Sequence, residues 1–378
     1  MKFTILRVYL QQSIQDVVKA ISPRTVIPIL SGIKIEVHNQ GITLTGSDSD
    51  ITIQSTIPEK NDGELIIKNF EVGSVVLPVP YFPEIIRKLP EETVELEVDE
   101  NLIVTIRSGN AVFHINGQDS NEYPQLPSIQ TDFRFQIPTN ILKTLIKQTA
   151  FAVSTMETRP ILTGINMKLE NNELKFTATD SHRLASRTVL LEQDIEETLN
   201  IVIPGKSVNE LNKILSDTDD LTEVSIMDNQ ILFQTKNVNF LSRLLDGKYP
   251  ETDRLIPNES KTILKLDTKK LINTIDRASL LSTEENNVVK LETKGSNLIE
   301  ISSQSQEIGK VLEEMTIHSL EGENLKISFN SKYMLDALKA MESDEVKINF
   351  TGAMRPFIIK PAYNDSTILQ LILPVRTV

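Results

Sequence analysis

The sequence predicts an α+β protein built from three copies of one domain. The chain has 378 residues, more than a single hydrophobic core usually fills, so two or three domains are expected. Two internal matches share one offset of 132 residues: 29–33 (ILSGI) returns as 161–165 (ILTGI), and 45–49 (TGSDS) returns as 177–181 (TATDS). A repeat at a fixed period indicates a duplicated structural unit.

The order of predicted elements is the same in each third, although the third copy is weaker in sequence. A short strand precedes an amphipathic helix, followed by alternating strands, a second helix and further strands. The helix windows are 9–24, 81–89, 139–150, 205–215, 268–281 and 331–341. Their apolar positions recur at helical spacing. In the first helices these positions are Ile14, Val17, Val18 and Ile21, then Ile141, Leu142, Leu145 and Ile146, then Leu271, Ile272 and Ile275. In the second helices they are Ile85, Ile86 and Leu89, then Val208, Leu211, Ile214 and Leu215, then Met334, Leu335, Leu338 and Met341.

Runs of alternating polarity lie between the helices, for example at 41–53 and 173–179. This period is typical of strands with one buried face, so each third pairs two helices with antiparallel sheets. Proline-bearing stretches at 124–127 and 250–257 are the predicted joints. The predicted domains are 1–127, 128–253 and 254–378.

Composition excludes several classes of function. The chain has no cysteine, which rules out disulfides, a thiolate nucleophile and a cysteine-based zinc site. It has no tryptophan and only 5% aromatic residues, which argues against binding single strands by base stacking. No apolar run is long enough to span a bilayer, and the first residues do not resemble a secretory signal, so we expect no membrane partner and a cytoplasmic location.

The positive charge is concentrated in the predicted helices. The chain carries a net charge of −13, yet the six helix windows contain thirteen basic and five acidic residues. Lysine and arginine are good helix formers on a solvated face, and this preference alone can explain a basic surplus in one helix. It is a weaker explanation for the same surplus in six equivalent helices. If the helices share one side, that side could hold duplex DNA weakly and without reading its sequence. Arg87, Lys143 and Lys147 are candidate DNA-binding residues of this kind.

Five stretches carry a family resemblance: 24–30 (RTVIPIL), 159–164 (RPILTG), 177–185 (TATDSHRLA), 245–250 (LDGKYP) and 373–376 (LPVR). Over its full length the sequence resembles the bacterial DNA polymerase III beta subunit, the sliding clamp, and is most similar to clamps of Bacillus-like Firmicutes. The resemblance implies a head-to-tail homodimer, first domain against third, that closes a six-domain ring lined by twelve helices. Such a ring encircles double-stranded DNA, makes the polymerase processive and associates with the nucleoid.

The resemblance implies no catalytic residue, no metal and no cofactor, because a separate ATP-driven clamp loader opens the ring. It implies a peptide cleft between the second and third domains that receives short linear motifs. The expected partners are the DNA polymerase III alpha subunit, the clamp loader, other polymerases and repair proteins. The residues that match the cleft are Ile161, Leu162, Thr179, Ser181, His182, Arg183, Leu184, Pro250, Leu255, Tyr333, Met354, Pro356, Leu371, Leu373, Pro374 and Arg376.

In this cleft, aliphatic residues and prolines would bury a partner's leucine and aromatic side chains, while Arg183 and Arg376 would orient its polar groups. Without the resemblance, plain core packing is the better explanation of Leu162, Leu184 and Leu373. For DNA, Arg24, Arg159 and Lys206 match positions on the channel wall. The stretch 281–285 departs from the family because Glu284 and Glu285 stand where close relatives tend to be basic, so it is given no role in DNA binding.

Enzyme interpretations fail on spacing. Asp180, Ser181 and His182 have the residue types of a hydrolase triad, but neighbours on a strand point to opposite faces. Residues 205–207 (GKS) resemble the end of a phosphate-binding loop, but Asn200 stands where that loop needs glycine. Residues 48–50 (DSD) lack the later ligands of a calcium loop and are better explained as a turn. The four histidines are scattered singly. The remaining alternative is a scaffold of the same repeats whose basic helices bind something acidic other than DNA. Circular DNA distinguishes the two, because only a ring would stay on the circle and be lost when the circle is cut.

Overall fold

The structure is a computed structural model that describes residues 1–61, 63–124, 133–193, 195–282, 287–363 and 367–376. The helices in these ranges are α1 Arg7–Val17, α2 Phe82–Lys88, α3 Thr139–Thr149, α4 Gly205–Ile214, α5 Thr268–Ser279 and α6 Ser331–Ala340. No helix among the described residues is both long and apolar enough to cross a membrane.

The strands fall into three groups along the chain. The first third contains β1 Lys2–Leu6, β2 Gly32–His38, β3 Gly41–Ser47, β4 Ile51–Pro58, β5 Lys60–Asn61, β6 Glu64–Leu65, β7 Ile67–Glu71, β8 Gly73–Pro78, β9 Thr93–Val98, β10 Ile103–Ser108 and β11 Ala111–Asn116. The middle third contains β12 Phe133–Pro138, β13 Gly164–Glu170, β14 Glu173–Thr179, β15 Arg183–Leu190, β16 Leu199–Pro204, β17 Leu221–Met227, β18 Gln230–Gln234 and β19 Val238–Arg243. The last third contains β20 Thr262–Asp267, β21 Val288–Thr293, β22 Leu298–Ser305, β23 Gly309–Thr316, β24 Ser319–Gly322, β25 Lys326–Asn330, β26 Glu345–Phe350, β27 Phe357–Pro361 and β28 Ile368–Ile372.

Each third has the predicted order of one strand, a helix, several strands, a second helix and three final strands. The repeated sequence 29–33 forms a 3-10 turn, Pro28–Ser31, that leads into β2, and its copy forms the turn Pro160–Thr163 that leads into β13. Ser31 Oγ and Thr163 Oγ1 each donate to the proline carbonyl three residues earlier, at 2.7 Å in both copies. The predicted α+β fold of three repeated domains is confirmed.

Strands of neighbouring thirds join into shared antiparallel sheets. An eight-stranded sheet has the order β12-β17-β18-β19-β4-β3-β2-β8, in which β19 of the middle third pairs with β4 of the first. A nine-stranded sheet has the order β16-β13-β14-β15-β28-β27-β26-β20-β24, in which β15 of the middle third pairs with β28 of the last. The other sheets are β11-β10-β9-β1-β7, β23-β22-β21-β25 and the short pair β5-β6.

The described chain separates into two compact units. One contains residues 1–140 and 213–244, and the other contains 141–212 and 245–378. In the first unit α1 packs on β3, β4 and α2; in the second α5 packs on β22, β23 and α6. The buried positions of the helices follow the predicted stripes, for example Leu271 and Ile275 on α5, because a period of 3.6 residues places them on one face.

Two details of the helix predictions are wrong. The first helix ends at Val17, continues as a 3-10 turn to Ala20 and is extended at Ile21, two residues before Pro23, so Ile21 and Arg24 lie outside it. The residue before a proline is biased away from helical conformation, which favours an early end. On α3, Ile141 is 37% exposed, whereas Leu142, Leu145 and Ile146 are buried.

Candidate partner-binding cleft and nucleic-acid interface

The second repeated motif forms the same tight turn in both copies. Asp48 Oδ1 accepts from the backbone N–H groups of Asp50 (3.1 Å) and Ile51 (2.8 Å). Asp180 Oδ1 accepts from those of His182 (2.9 Å) and Arg183 (3.0 Å). The intervening serines, Ser49 and Ser181, have φ values of 79° and 77°. An aspartate that caps its own turn in this way is a structural device, which confirms the turn predicted at 48–50.

The copy at 180–183 corrects one argument about the hydrolase triad. Asp180, Ser181 and His182 lie in the turn between β14 and β15, not on a strand. The Asp180 carboxylate is used by backbone N–H groups and by Arg183 Nε at 3.0 Å, and not by the His182 ring. The three side chains therefore do not form a relay, for a different reason from the one given by sequence.

Two apolar clusters of the second unit contain residues of the predicted cleft. One contains Leu184 and Leu371, paired across β15 and β28, together with Ile358 and Leu369. The other contains Leu162 and Tyr249, with Ile161 packed against them. Leu162, Leu184 and Leu371 are each less than 5% exposed, so they are core residues.

Tyr249 anchors the segment at the end of the middle third. Its hydroxyl accepts from the backbone N–H of Thr179 at 3.0 Å, and burial raises the pKa of this phenol. Thr179 Oγ1 in turn donates to the Arg183 carbonyl at 2.6 Å, so the tyrosine and the turn support one another. Tyr123, which precedes a proline as Tyr249 does, has its hydroxyl 3.4 Å from the carbonyls of Gly32 and Thr45 in the first unit.

Arg183 is held by the protein itself. Its NH1 group donates to Asp336 Oδ2 on α6 at 2.7 Å, its NH2 group donates to the Phe151 carbonyl at 2.6 Å, and its Nε donates to Asp180. The guanidinium carbon lies 4.5 Å from the centre of the Tyr333 ring, and only 10% of the side chain is exposed. The expectation that Arg183 orients a partner is not supported by this geometry, because all three nitrogens are already bonded inside the molecule. It is a positioning residue that ties the turn to α6.

Several predicted cleft residues outside these clusters are exposed. Leu255 and Met354 are each 55% exposed, and Leu255 lines a cavity of about 450 Å³ with Pro356. His182 and Arg376 are exposed, and the His182 carbonyl accepts from the backbone N–H of Leu373 at 2.9 Å. The segment that carries Leu373, Pro374 and Arg376 is thus fixed beside the 180–183 turn.

The structure therefore brings most of the predicted cleft residues into linked groups. Pro250 lines a second cavity of about 400 Å³, beside Tyr249. Met354 belongs to neither apolar cluster and lines neither cavity. Sequence reasoning missed the supporting residues Tyr249, Asp336, Phe151, Ile358 and Leu369. Tyr249 lies in the quoted stretch 245–250 and the others carry no local signal.

The predicted DNA residues lie in different settings. Arg87 on α2 is exposed and bonded to Glu84 at 2.6 Å, and this arginine lowers the pKa of the Glu84 carboxyl. Lys143 and Lys147 are on α3, and Lys206 is the second residue of α4. Arg24 is in an exposed turn after α1. Arg159 NH1 is 3.5 Å from Ser181 Oγ, which places Arg159 beside the cleft turn.

The acidic stretch at Glu284 and Glu285 lies outside the described residues. Among the residues that are described, no group of three or more histidine, aspartate or glutamate side chains is placed to hold a metal ion.

Comparisons with known proteins agree with this architecture. Family models match all three thirds: the N-terminal domain of the DNA polymerase III beta subunit at 1–127, the central domain at 136–251 and the C-terminal domain at 253–376. The beta sliding clamps of Bacillus subtilis and Staphylococcus epidermidis are 55% and 52% identical to this chain, over 100% of both chains in each pair.

Solved structures give the same result. The crystal structure of the Bacillus subtilis DNA polymerase sliding clamp matches with a TM-score of 0.96 at 55% identity, covering 100% of each chain. A Pseudomonas aeruginosa sliding clamp bound to griselimycin matches with a TM-score of 0.92 at 25% identity, also over 100% of each chain.

Three repeated α+β domains that share sheets across their junctions define a DNA clamp, a class of proteins that act without catalysis. The chain belongs to the family of the bacterial DNA polymerase III beta subunit, the beta sliding clamp, which is the non-catalytic processivity subunit of the polymerase. The predicted resemblance to clamps of Bacillus-like bacteria is confirmed.

Proposed function

We propose that two copies of this chain associate head to tail, β11 of one against β23 of the other, and close a ring around double-stranded DNA. The observation that carries this proposal is how the chain makes its own junctions. At both of them a strand of one third pairs antiparallel with a strand of the next, β19 with β4 and β15 with β28. In the described residues β11 and β23 each end a sheet and pair on one side only, so they can form a third junction of the same kind.

The side chains at these two edges suit burial in an interface. Val112 and Phe113 on β11 are 51% and 38% exposed, and Leu312 on β23 and the adjacent Ile308 are 49% and 64% exposed. Exposed apolar edge strands are a template for pairing with another chain unless something covers them. A symmetric head-to-tail dimer covers both β11 edges and both β23 edges at once.

The edge strand β23 is held in place from within its own domain. Arg277 on α5 donates to both carboxylate oxygens of Glu313, at 2.9 Å and 2.5 Å, and Thr274 Oγ1 donates to the same carboxylate at 3.1 Å. The hydrogen bonds from the arginine lower the pKa of the Glu313 carboxyl. The edge that closes the ring is therefore preformed.

The basic residues of the six helices would face the duplex inside such a ring. Lys147, Lys269, Lys270, Lys332 and Lys339 are all exposed, and none has an ion-pair partner among the described residues. Diffuse contacts between lysines and phosphates give weak, salt-dependent binding that does not select a sequence. This suits movement along DNA, because closure of the ring and not affinity keeps the protein on it.

The cleft built on Leu162, Leu184 and Leu371 would receive short linear motifs of the DNA polymerase III alpha subunit, the clamp loader, other polymerases and repair proteins. Its exposed apolar rim at Leu255 and Met354 would bury their leucine and aromatic side chains. We further propose domain boundaries at 1–127, 128–253 and 254–378, and a location in the cytoplasm at the nucleoid.

Retention on circular DNA tests the proposal. The protein is loaded onto nicked circular DNA by a clamp loader, freed of unbound protein by gel filtration in moderate salt, and then compared before and after the circle is cut. A ring stays on the circle and runs off the cut ends. Equal loss from both forms would refute encirclement and favour a scaffold that binds acidic surfaces without closing. Sedimentation of the free protein gives the dimer independently.

A further inference from the structure

The second unit contains a basic cavity whose charged residues have no role in the proposed function. It encloses about 400 Å³ on the solvent face of the strands β13, β14 and β16, under the segment 248–254. Four basic residues line it, Lys168, Lys175, Lys248 and Arg254, against two acidic ones, Glu251 and Asp253. In a chain of net charge −13 this is a local reversal of sign.

Residues of the cavity and of the predicted cleft follow one another along one face of β14. Successive side chains of a strand alternate between its faces, so Lys175, Thr177 and Thr179 share a face. Lys175 and Thr177 line the cavity, and Thr179 belongs to the cleft. Tyr249, bonded to Thr179 and packed on Leu162, forms the wall between the two. Four residues of extended chain span about 13 Å, the distance from Lys175 to Thr179 along the strand.

The charges of the cavity are only partly neutralised. Lys175 is bonded to Asp253 at 2.5 Å and Arg254 to Glu251 at 3.2 Å, while Lys168 pairs with Glu170 at 2.5 Å. Lys248 is exposed and has no ion-pair partner in the part of the chain that the structure describes. The amides of Asn166 and Asn200, bonded to each other at 2.6 Å, complete a polar floor. A ligand with carboxylates can pair with Lys248. A second carboxylate of the ligand can replace Glu251 as the ion-pair partner of Arg254, whose side chain is 85% exposed.

We propose that this cavity binds acidic residues that flank the linear motif of a partner peptide, about four residues from the anchor that fills the cleft. The inference rests on the proposed peptide-binding function of the cleft and extends it. It makes the charge of the flanking sequence a determinant of partner choice, because different partners would share the apolar anchor and differ in the flank. Since exposed ion pairs are screened by salt, this selectivity would be strongest at low ionic strength.

The test uses three fluorescent peptides from the clamp-binding segment of the polymerase III alpha subunit. One carries a neutral serine–asparagine flank at both ends, and the others carry four residues rich in aspartate and glutamate at the N-terminal or the C-terminal end. Fluorescence anisotropy gives the Kd of each for the full-length protein. We expect one acidic flank to tighten binding by about three- to tenfold, the gain of two exposed ion pairs, and to lose that gain at about 0.3 M salt.

Two variants of equal charge separate the cavity from general attraction. Lys248→Gln should abolish most of the gain and leave the Kd of the neutral peptide unchanged. Lys360→Gln, which removes a half-exposed lysine of β27 that does not line the cavity, should leave the gain intact. The inference is overturned if neither flank tightens binding or if both variants reduce the gain equally. If the neutral peptide does not bind at all, the cleft itself is refuted and its extension with it.

Discussion

Replacing Arg183 with alanine should destabilise the second unit through loss of one buried guanidinium. Only 10% of the Arg183 side chain is exposed, and its removal leaves the carboxylates of Asp180 and Asp336, 13% and 29% exposed, without their cation. Breaking a buried, hydrogen-bonded ion pair costs about 3–5 kcal/mol. Because Asp336 is partly solvated, the expected loss is smaller, about 2–3 kcal/mol.

Thermal unfolding followed by circular dichroism measures this loss. For a unit of about 200 residues, a loss of about 1 kcal/mol lowers the midpoint by about 2–4 °C, so the transition of the second unit should fall by about 4–12 °C. Arg183→Lys should recover little, since an ammonium group cannot reproduce three bonds in a fixed planar fork. In a double-mutant cycle with Asp336→Asn the two effects should be strongly non-additive, because both residues belong to one network.

The exposed Arg87→Ala variant is the control, and its unfolding should match that of the unmodified protein. Unfolding of Arg183→Ala at the same temperature as this control would refute the stabilising role of the guanidinium. Loss of peptide binding by Arg183→Ala with no change in stability would refute it as well, because that result would assign Arg183 to direct contact with the partner.

Three further changes have separate readouts. Phe113→Asp should convert the dimer to a folded monomer in sedimentation, since it places a charge in the proposed edge-to-edge interface. Leu190→Asp, at a 73%-exposed leucine of β15, which is in a different sheet from β11 and β23, should stay dimeric. The double variant Lys147→Gln, Lys339→Gln should bind DNA more weakly. The slope of log K against log salt concentration should fall by about one for each lysine that no longer pairs with a phosphate, and an unchanged slope would contradict their role. The carboxyl of Glu292 has its pKa lowered from 4.5 to about 2 by hydrogen bonds from Lys294 and Lys326, so its contribution to stability is complete above pH 4.5 and is lost as the pH falls towards 2. Glu292→Gln should therefore reduce the fall of the urea-unfolding midpoint between pH 5 and pH 2. The same dependence of the midpoint on pH in both proteins would count against the ion-pair network.

The spacing of apolar residues predicted the helices well, because the buried face of each helix is visible in its own sequence. The windows at 205–215 and 331–341 differ from α4 and α6 by one residue at their ends. The early end of α1 was missed because Val18 and Ile21 continue the apolar spacing while the backbone has already left the helix. Conformation at such an end is decided by Pro23 and by packing, which periodicity does not record.

The cleft was predictable only through the repeat and the family motifs, since its decisive contacts are far apart in sequence. Arg183 and Asp336 are 153 residues apart, and neither has a local signature of a buried ion pair. Because the sequence does not show that Asp336 binds Arg183, this arginine was expected to bind a ligand. The turn at Asp48 was correctly predicted, because a capped aspartate turn needs only its own neighbours, whereas its copy at Asp180 was wrongly placed on a strand.

The sharing of sheets across junctions separates the unit of duplication from the unit of cooperative folding. The middle third is a complete copy of the repeat, yet β19 is bonded to β4 and β15 to β28, so its strands divide between two compact units. Expressed alone, residues 128–253 would carry two long strand edges with nothing to pair with, and aggregation would compete with folding. A repeat that arose by copying one domain has thus come to depend on its neighbours, and its evolutionary boundaries are poor places to cut the chain.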